Sequence, residues 1–303
     1  MIWNGVMPAM TTAFDKNLNV DHAFMAKHAQ QLIEAGCTGL VMLGSLGEAA
    51  TLEAEEKRDI LSNVKSVVGK NAPVVAAISA LSTRQATRLA EMAADLGCDG
   101  LMVLPPYVYQ GDWRETKHHI SAIFRSTTLS CMLYNNPIAY GTDFTPEQIA
   151  ELAGEHANFE AVKESSADVR RVSAIRALLG DRLAVFVGVD DVILEACAAG
   201  ACGWIAGLVN AFPVESVQLF NLCAAARFAE ATALYRWFLP LLRMDTVPKF
   251  VQLIKLVQEL AGMGSARVRP PRLELAGEEL DAAKATFERA LEQRPKLAAF
   301  AQV

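Results

Sequence analysis

Short apolar runs alternate with longer amphipathic ones over roughly the first 210 residues. The apolar runs are GVMPAM (5–10), GLVMLG (39–44), PVVAAIS (73–79), GLMVLPP (100–106), LSCMLYNN (129–136), FEAVKES (159–165), LAVFVG (183–188) and GWIAGL (203–208). Most are too short for helices and do not alternate apolar with polar. That is the pattern of parallel strands buried on both faces. Their starts lie about 18 to 35 residues apart, which leaves room for one helix and two loops between neighbours.

The gaps carry helix patterns. AFMAKHAQQLIEAG sets Phe24, His28, Leu32 and Ile33 near one face and ends at Gly36. EKRDILSNVKSVVG ends at Gly69, and TRQATRLAEMAADLG ends at Gly97 with Thr83 as its expected N-cap. TPEQIAELAG opens with Thr145 as a cap and Pro146 at the first helical position. Eight strand candidates separated by helices predict a parallel (β/α)8 TIM barrel. An open doubly wound sheet shares this alternation, but no GxGxxG follows the first strand. Beyond about residue 214 the strand pattern stops. ESVQLFNLCAAARFAEATALYRWFLPLL, PKFVQLIKLVQELAG and GEELDAAKATFERALEQ all read as helical. The expected organisation is a catalytic barrel over 1–220 and a C-terminal helical region over 221–303.

Composition narrows the function classes. Hydrophobic residues make up 52% and charged residues 20%, which excludes disorder. The net charge of -6, from 28 basic and 34 acidic residues, offers no basic stripe for a phosphate backbone or an anionic membrane. MIWNGVMPAMTTAF lacks the basic and apolar regions of a signal peptide, and no run of about 18 apolar residues follows. The expected location is the cytoplasm. Six cysteines are scattered without a CxxC, which fits buried thiols better than disulfides.

In a barrel, chemistry belongs at the carboxyl ends of the strands. Those ends are Gly44-Ser45-Leu46-Gly47-Glu48, Pro105-Pro106-Tyr107-Val108-Tyr109, Tyr134-Asn135-Asn136-Pro137, Lys163-Glu164-Ser165 and Gly188-Val189-Asp190-Asp191. Lys163 closes an apolar strand, so its ammonium should project into the mouth and be partly desolvated. Desolvation lowers a lysine pKa and frees the amine to attack carbonyl carbon. A lysine that snorkels, or that pairs with Glu164 or Asp190, fits the same position. Tyr134 ends the neighbouring strand, where a phenol could move protons on and off a carbinolamine and an α-carbon, or could be a satisfied core tyrosine. Ser45 offers a small hydroxyl between glycines that let backbone N–H groups approach a carboxylate. His118 and His119 sit in an amphipathic segment without metal-ligand spacing, so no metal is expected. GACGWIAG has no following lysine and reads poorly as a phosphate loop.

Taken together these strand ends resemble the dihydrodipicolinate synthase and N-acetylneuraminate lyase superfamily of Schiff-base lyases. The resemblance runs through NGVMPAMTTAFD, GSLGEAATL, VLPPYVY, YNNP, AVKESS, GVDD and the late RVRPPRLEL. It implies Lys163 as the Schiff-base lysine, Tyr134 as the proton-transfer phenol and Ser45 as its hydroxyl relay partner. It also implies substrate contacts at Gly44, Leu46, Gly47, Asn136 and Tyr140, with Gly188 and Ile205 lining the site. Catalysis without a cofactor and a homotetrameric assembly are implied as well.

Three positions depart from the synthase pattern. Ala139 stands where synthases carry a carboxylate-binding arginine, Tyr107-Val108 replaces a tyrosine pair, and Leu46 replaces a threonine. The mouth is therefore short of donors for a second carboxylate. GSLGE, PPYVY and YNNPIAYG look most like the branch that deaminates Δ1-pyrroline-4-hydroxy-2-carboxylate to 2,5-dioxopentanoate. The expected substrate is a small 2-keto acid or cyclic imine. A 2-keto-3-deoxy sugar-acid dehydratase or aldolase, a true synthase, a non-catalytic ligand-binding barrel and a cofactor-using barrel oxidoreductase are the other readings.

Overall fold

A computed structural model describes residues 1–296. Eight parallel strands form one sheet: β1 (Gly5–Pro8), β2 (Leu40–Met42), β3 (Val74–Ile78), β4 (Gly100–Val103), β5 (Ser130–Asn135), β6 (Phe159–Glu164), β7 (Ala184–Val187) and β8 (Gly203–Ala206). Each falls inside one of the eight apolar runs. β1 pairs with β8, and a bridge between Ala9 and Val41, with Met10 N–H donating to Val41 C=O, joins β1 to β2 and closes the ring. The fold is a TIM barrel. Strand residues are buried nearly throughout, because the interior is filled by side chains and the exterior is covered by helices.

The helices are α1 (His22–Glu34), α2 (Ala54–Val68), α3 (Thr83–Asp95), α4 (Trp113–Arg125), α5 (Pro137–Tyr140), α6 (Pro146–Glu155), α7 (Arg170–Leu179), α8 (Ile193–Ala198), α9 (Pro213–Ala224), α10 (Phe228–Leu242), α11 (Phe250–Leu260) and α12 (Gly277–Glu292). Thr145 caps α6 as its sequence suggests, in a reciprocal box with Gln148. At α3 the cap is Ser82, whose side chain accepts from Gln85 N–H. Thr83 is instead the first helical residue, and its hydroxyl lies 2.9 Å from His119 Nδ1. Two adjacent hydroxyl residues made the shift of one position invisible in sequence.

The segment 215–242 is not one helix. It breaks at 225–227, where Ala226 adopts a left-handed φ of 55°, and the chain turns from α9 into α10. α9 packs on β1 as the eighth barrel helix, so the 220/221 division falls inside a barrel element. The C-terminal appendage is α10, α11 and α12, which pack on one another. The last seven residues of the expected 221–303 region lie outside the described residues. No helix among the described residues is long and apolar enough to cross a membrane. All six cysteines are unpaired thiols.

The appendage is tied to the barrel by a buried ion pair. Glu48, with φ 55° at the end of the GSLGE turn, accepts from Lys255 Nζ of α11 at 2.8 Å and from Arg269 N–H at 3.0 Å. Lys255 also donates to Thr12 C=O at 2.9 Å and lies 4.5 Å from the centre of the Phe14 ring. Arg269, in RVRPPRLEL, grips Glu56 with both terminal nitrogens at 2.8 Å. Removing one partner of a buried pair strands the other charge and costs about 3–5 kcal/mol. Lys255→Met should lower unfolding stability by about that much. The double variant Lys255→Met/Glu48→Gln should recover part of the loss, as read by chemical denaturation. A single variant as stable as the parent would show that Glu48 finds sufficient partners in Arg269 N–H and in Arg272, whose Nη1 lies 3.9 Å away.

Candidate active site

β5 and β6 pair in register, with Tyr134 opposite Lys163. Paired residues of parallel strands point to the same face, so both side chains enter the barrel mouth. Alternation sends the next residues outward: Asn135 Nδ2 donates to Glu164 at 3.0 Å, and Glu164 also accepts from Ser166 N–H at 2.7 Å and pairs with Arg171. Glu164 is thereby engaged on the far side of the sheet and unavailable to Lys163.

Lys163 is only 5% exposed, and its Nζ stands 4.1 Å from the centre of the Tyr134 ring. Burial pulls the ammonium down to about 8, opposed by the carboxyls of Asp245 and Asp190. Gly188 makes room for the lysine stem: a Cβ there would lie 2.2 Å from Lys163 Cε and 2.1 Å from Ser165 Oγ. Ser165 Oγ is buried beside it with no hydrogen-bond partner among the described residues.

The Tyr134 phenol accepts from Asn136 Nδ2 at 3.0 Å. Burial pushes it up to about 12, against that hydrogen bond, so it rests protonated at neutral pH. Asn136, expected to contact substrate, has both ends of its amide engaged, since Oδ1 accepts from Ala139 N–H at 3.0 Å. It caps α5 and holds the phenol.

Ser45 does not meet Tyr134. Its hydroxyl forms a very short contact with the Tyr140 hydroxyl, and the Tyr140 ring sits edge-on to Tyr134 with centroids 5.8 Å apart. Tyr107 lies 6.3 Å beyond Tyr140. The sequence-based pairing of Ser45 with Tyr134 is thus corrected to Ser45 with Tyr140. The contact spans 95 residues and has no local signal.

The GSLGE loop follows β2. Glu48 N–H donates to Ser45 C=O and Ala49 N–H to Gly44 C=O, while Thr12 Oγ1 donates to Gly47 C=O. The N–H groups of Leu46 and Gly47 make no hydrogen bond among the described residues. They are suited to hold a carboxylate, with Leu46 turning an apolar, 3% exposed side chain into the wall. Ile205 is buried in β8, in register with Met7.

Asp190 secures the eighth loop. Its carboxylate accepts from Trp204 Nε1 at 3.2 Å, from Gly207 N–H at 3.2 Å and from Leu208 N–H at 3.0 Å. Burial raises it to about 7, against those donors. Sequence reasoning offered Asp190 as a partner for Lys163, not as the anchor of the eighth loop, and missed Asp245, which belongs to no strand. A desolvated amine on a protonated phenol is equipped for carbinolamine chemistry at a 2-oxo acid. No group of three or more His, Cys, Asp or Glu able to hold a metal ion occurs among the described residues.

The model of the Dihydrodipicolinate synthetase family matches residues 3–290. The chain belongs to that family. It is similar to the 4-hydroxy-tetrahydrodipicolinate synthase of Geotalea daltonii, 31% identical over 274 residues that cover 89% of this chain and 92% of the relative. The enzyme of the same name from Haloarcula marismortui is 30% identical, with coverage of 92% and 91%. Among solved structures, one described as a putative dihydrodipicolinate synthetase from Pseudomonas aeruginosa superposes with a TM-score of 0.90 at 28% identity, covering 95% of this chain and 100% of that one. YagE of Escherichia coli K12, a prophage protein of the family solved with pyruvate, gives 0.91 at 27% identity, with coverage of 96% and 99%.

Proposed function

We propose that the protein is a Schiff-base lyase that converts Δ1-pyrroline-4-hydroxy-2-carboxylate to 2,5-dioxopentanoate and ammonia, with no cofactor beyond the covalent adduct on Lys163. The observation that carries the reading is the charge pattern of the mouth. Lys163 is buried on Tyr134, and the charged groups that act on it are the carboxyls of Asp245 and Asp190. Ala139 lies exposed on α5 where an arginine would be needed to hold a second carboxylate. Such a site favours one monocarboxylate carrying hydroxyl and nitrogen groups over a condensation of two acids.

The steps follow from the placements. The Lys163 amine adds to the ring imine carbon, and the C2–N1 bond breaks to free the chain nitrogen as an amine. Tyr134 takes a proton from C3 of the resulting iminium, which forms an enamine. The hydroxyl on C4 departs, the chain rearranges to an imine at C5, and water releases ammonia there and the keto acid from Lys163. The leaving amine and hydroxyl both need protons, and the mouth holds acids rather than cations.

A second reading is the synthase reaction, favoured by the names of the relatives. Incubation with pyruvate and aspartate semialdehyde distinguishes the two: negligible condensation is expected. Ammonia and 2,5-dioxopentanoate should appear from the pyrroline in a coupled assay. Robust condensation, with no ammonia from the pyrroline, would overturn the substrate assignment. Activity confined to a 2-oxo-3-deoxy sugar acid would move it to a dehydratase or aldolase. The assembly is taken to be a homotetramer, supported by apolar side chains on the rim of the mouth: Val108 is 76% exposed, Ile138 74% and Tyr109 60%. Light scattering showing a monomer at micromolar concentration would refute it.

A further inference from the structure

Asp245 lies on the short 3-10 turn Arg243–Thr246 that follows α10. Its carboxyl nevertheless reaches the loop above β8. Oδ1 stands 2.3 Å from the point a Cβ would occupy on Gly207, and Leu46 Cδ2 stands 3.1 Å from the same point. A side chain at 207 would drive the carboxyl away, so the glycine opens the window through which Asp245 faces the site. Oδ1 is closed to solvent and has no hydrogen-bond partner among the described residues. The neighbouring Asp190 differs: its oxygens are taken up by Trp204, Gly207 and Leu208. An orphaned buried oxygen opposes folding, so packing does not account for it. Its field acts on both the Lys163 amine and the Tyr134 phenol, the two groups that flank the reacting carbon.

We propose that Asp245 is a second acid–base group of this site and protonates the hydroxyl that leaves C4 of the lysine-bound substrate. The inference rests on the substrate class read above. Burial, and then the Asp190 charge, raises its carboxyl well above the usual range, in the direction an acid needs. In the enamine, the nitrogen lone pair re-forms the C2=N bond and the C2=C3 electrons become the C3=C4 bond. The C4–O bond breaks with its electrons on oxygen, and that oxygen takes the Asp245 proton and departs as water. The Asp245 carboxylate then removes a proton from C5, which restores the acid and sets up the C5 imine. Tyr134 keeps the separate task of moving the proton at C3.

Asp245→Asn preserves shape and removes the transferable proton. The test compares it with the parent on pyruvate, on Δ1-pyrroline-4-hydroxy-2-carboxylate and on an open-chain 2-oxo-3-deoxy sugar acid. Pyruvate has no hydroxyl to expel. Its borohydride-trapped adduct on Lys163 and its C3 deuterium exchange, each read on the pH plateau of the protein concerned because the Asp245 charge also acts on Lys163, should fall far less than dehydration does, since Tyr134 serves both. Turnover of whichever hydroxylated substrate the parent dehydrates should fall by roughly 10²–10³, the scale of a positioned acid. Borohydride should then trap adducts that still carry the hydroxyl. Parent-like turnover in the variant would overturn the role. So would an equal loss of pyruvate exchange, which would mark Asp245 as a support for the whole site. A parent active on the sugar acid but not on the pyrroline ends the substrate reading and leaves Asp245 to be judged on the sugar acid. A parent that dehydrates neither overturns both.

Discussion

Borohydride reduction during turnover should leave one substrate-derived mass on Lys163, and Lys163→Ala should lose that mass together with turnover. The expected loss is on the order of 10⁴–10⁶, as for other covalent nucleophiles whose role no neighbour can assume. The pH dependence offers a second check on the same residue. Only the neutral amine attacks, and an ordinary lysine titrates near ~10.4. Burial brings Lys163 down to about 8, so adduct formation with pyruvate should rise with pH and level off above that value. A rate still climbing at pH 10 would mean that the amine is solvated as usual. A label on another lysine, or full turnover in the alanine variant, would remove Lys163 from the mechanism.

Tyr134→Phe should lower kcat by roughly 10²–10⁴, the range for a positioned acid–base group. The effect should fall on kcat more than on KM, because the GSLGE turn proposed to hold the substrate carboxylate is untouched. The fold should survive, since the ring that packs under Lys163 remains and only the polar contacts of the phenol, with Asn136 and Ser165, are lost. Circular dichroism and a thermal melt check that point. An unchanged kcat would transfer the proton shuttle elsewhere, with the Ser45–Tyr140 pair the next arrangement to probe.

The barrel was legible in the sequence because strands buried on both faces cannot hide their composition, and because the turn glycines Gly36, Gly69 and Gly97 follow the helix ends at positive φ. Lys163 and Tyr134 were legible for a related reason. Strand alternation turns these two residues into the mouth and the next two, Asn135 and Glu164, to the outer face. What stayed hidden depends on reach across the fold. The break between α9 and α10 lies in Ala225-Ala226-Arg227, which local propensity reads as good helix. Asp245 sits in a turn with no strand before it, and its carboxyl occupies space that a side chain at position 207 would take. Asn136 and Ser45 were picked out as site residues, but their partners are decided by rotamers that spacing does not encode.

The pairing of Glu48 with Lys255 also bears on how the protein is made. The two residues are 207 positions apart. At about 5–20 residues per second, a ribosome needs roughly 10–40 s to supply the second after the first. During that interval the turn that would hold a substrate carboxylate lacks its counter-charge. The eight strands therefore emerge well before the machinery they carry is complete. A product arrested just after β8 would possess Lys163 and Tyr134 yet lack Lys255, Asp245 and Arg269. Premature termination should yield a polypeptide with the nucleophile but an unsecured pocket.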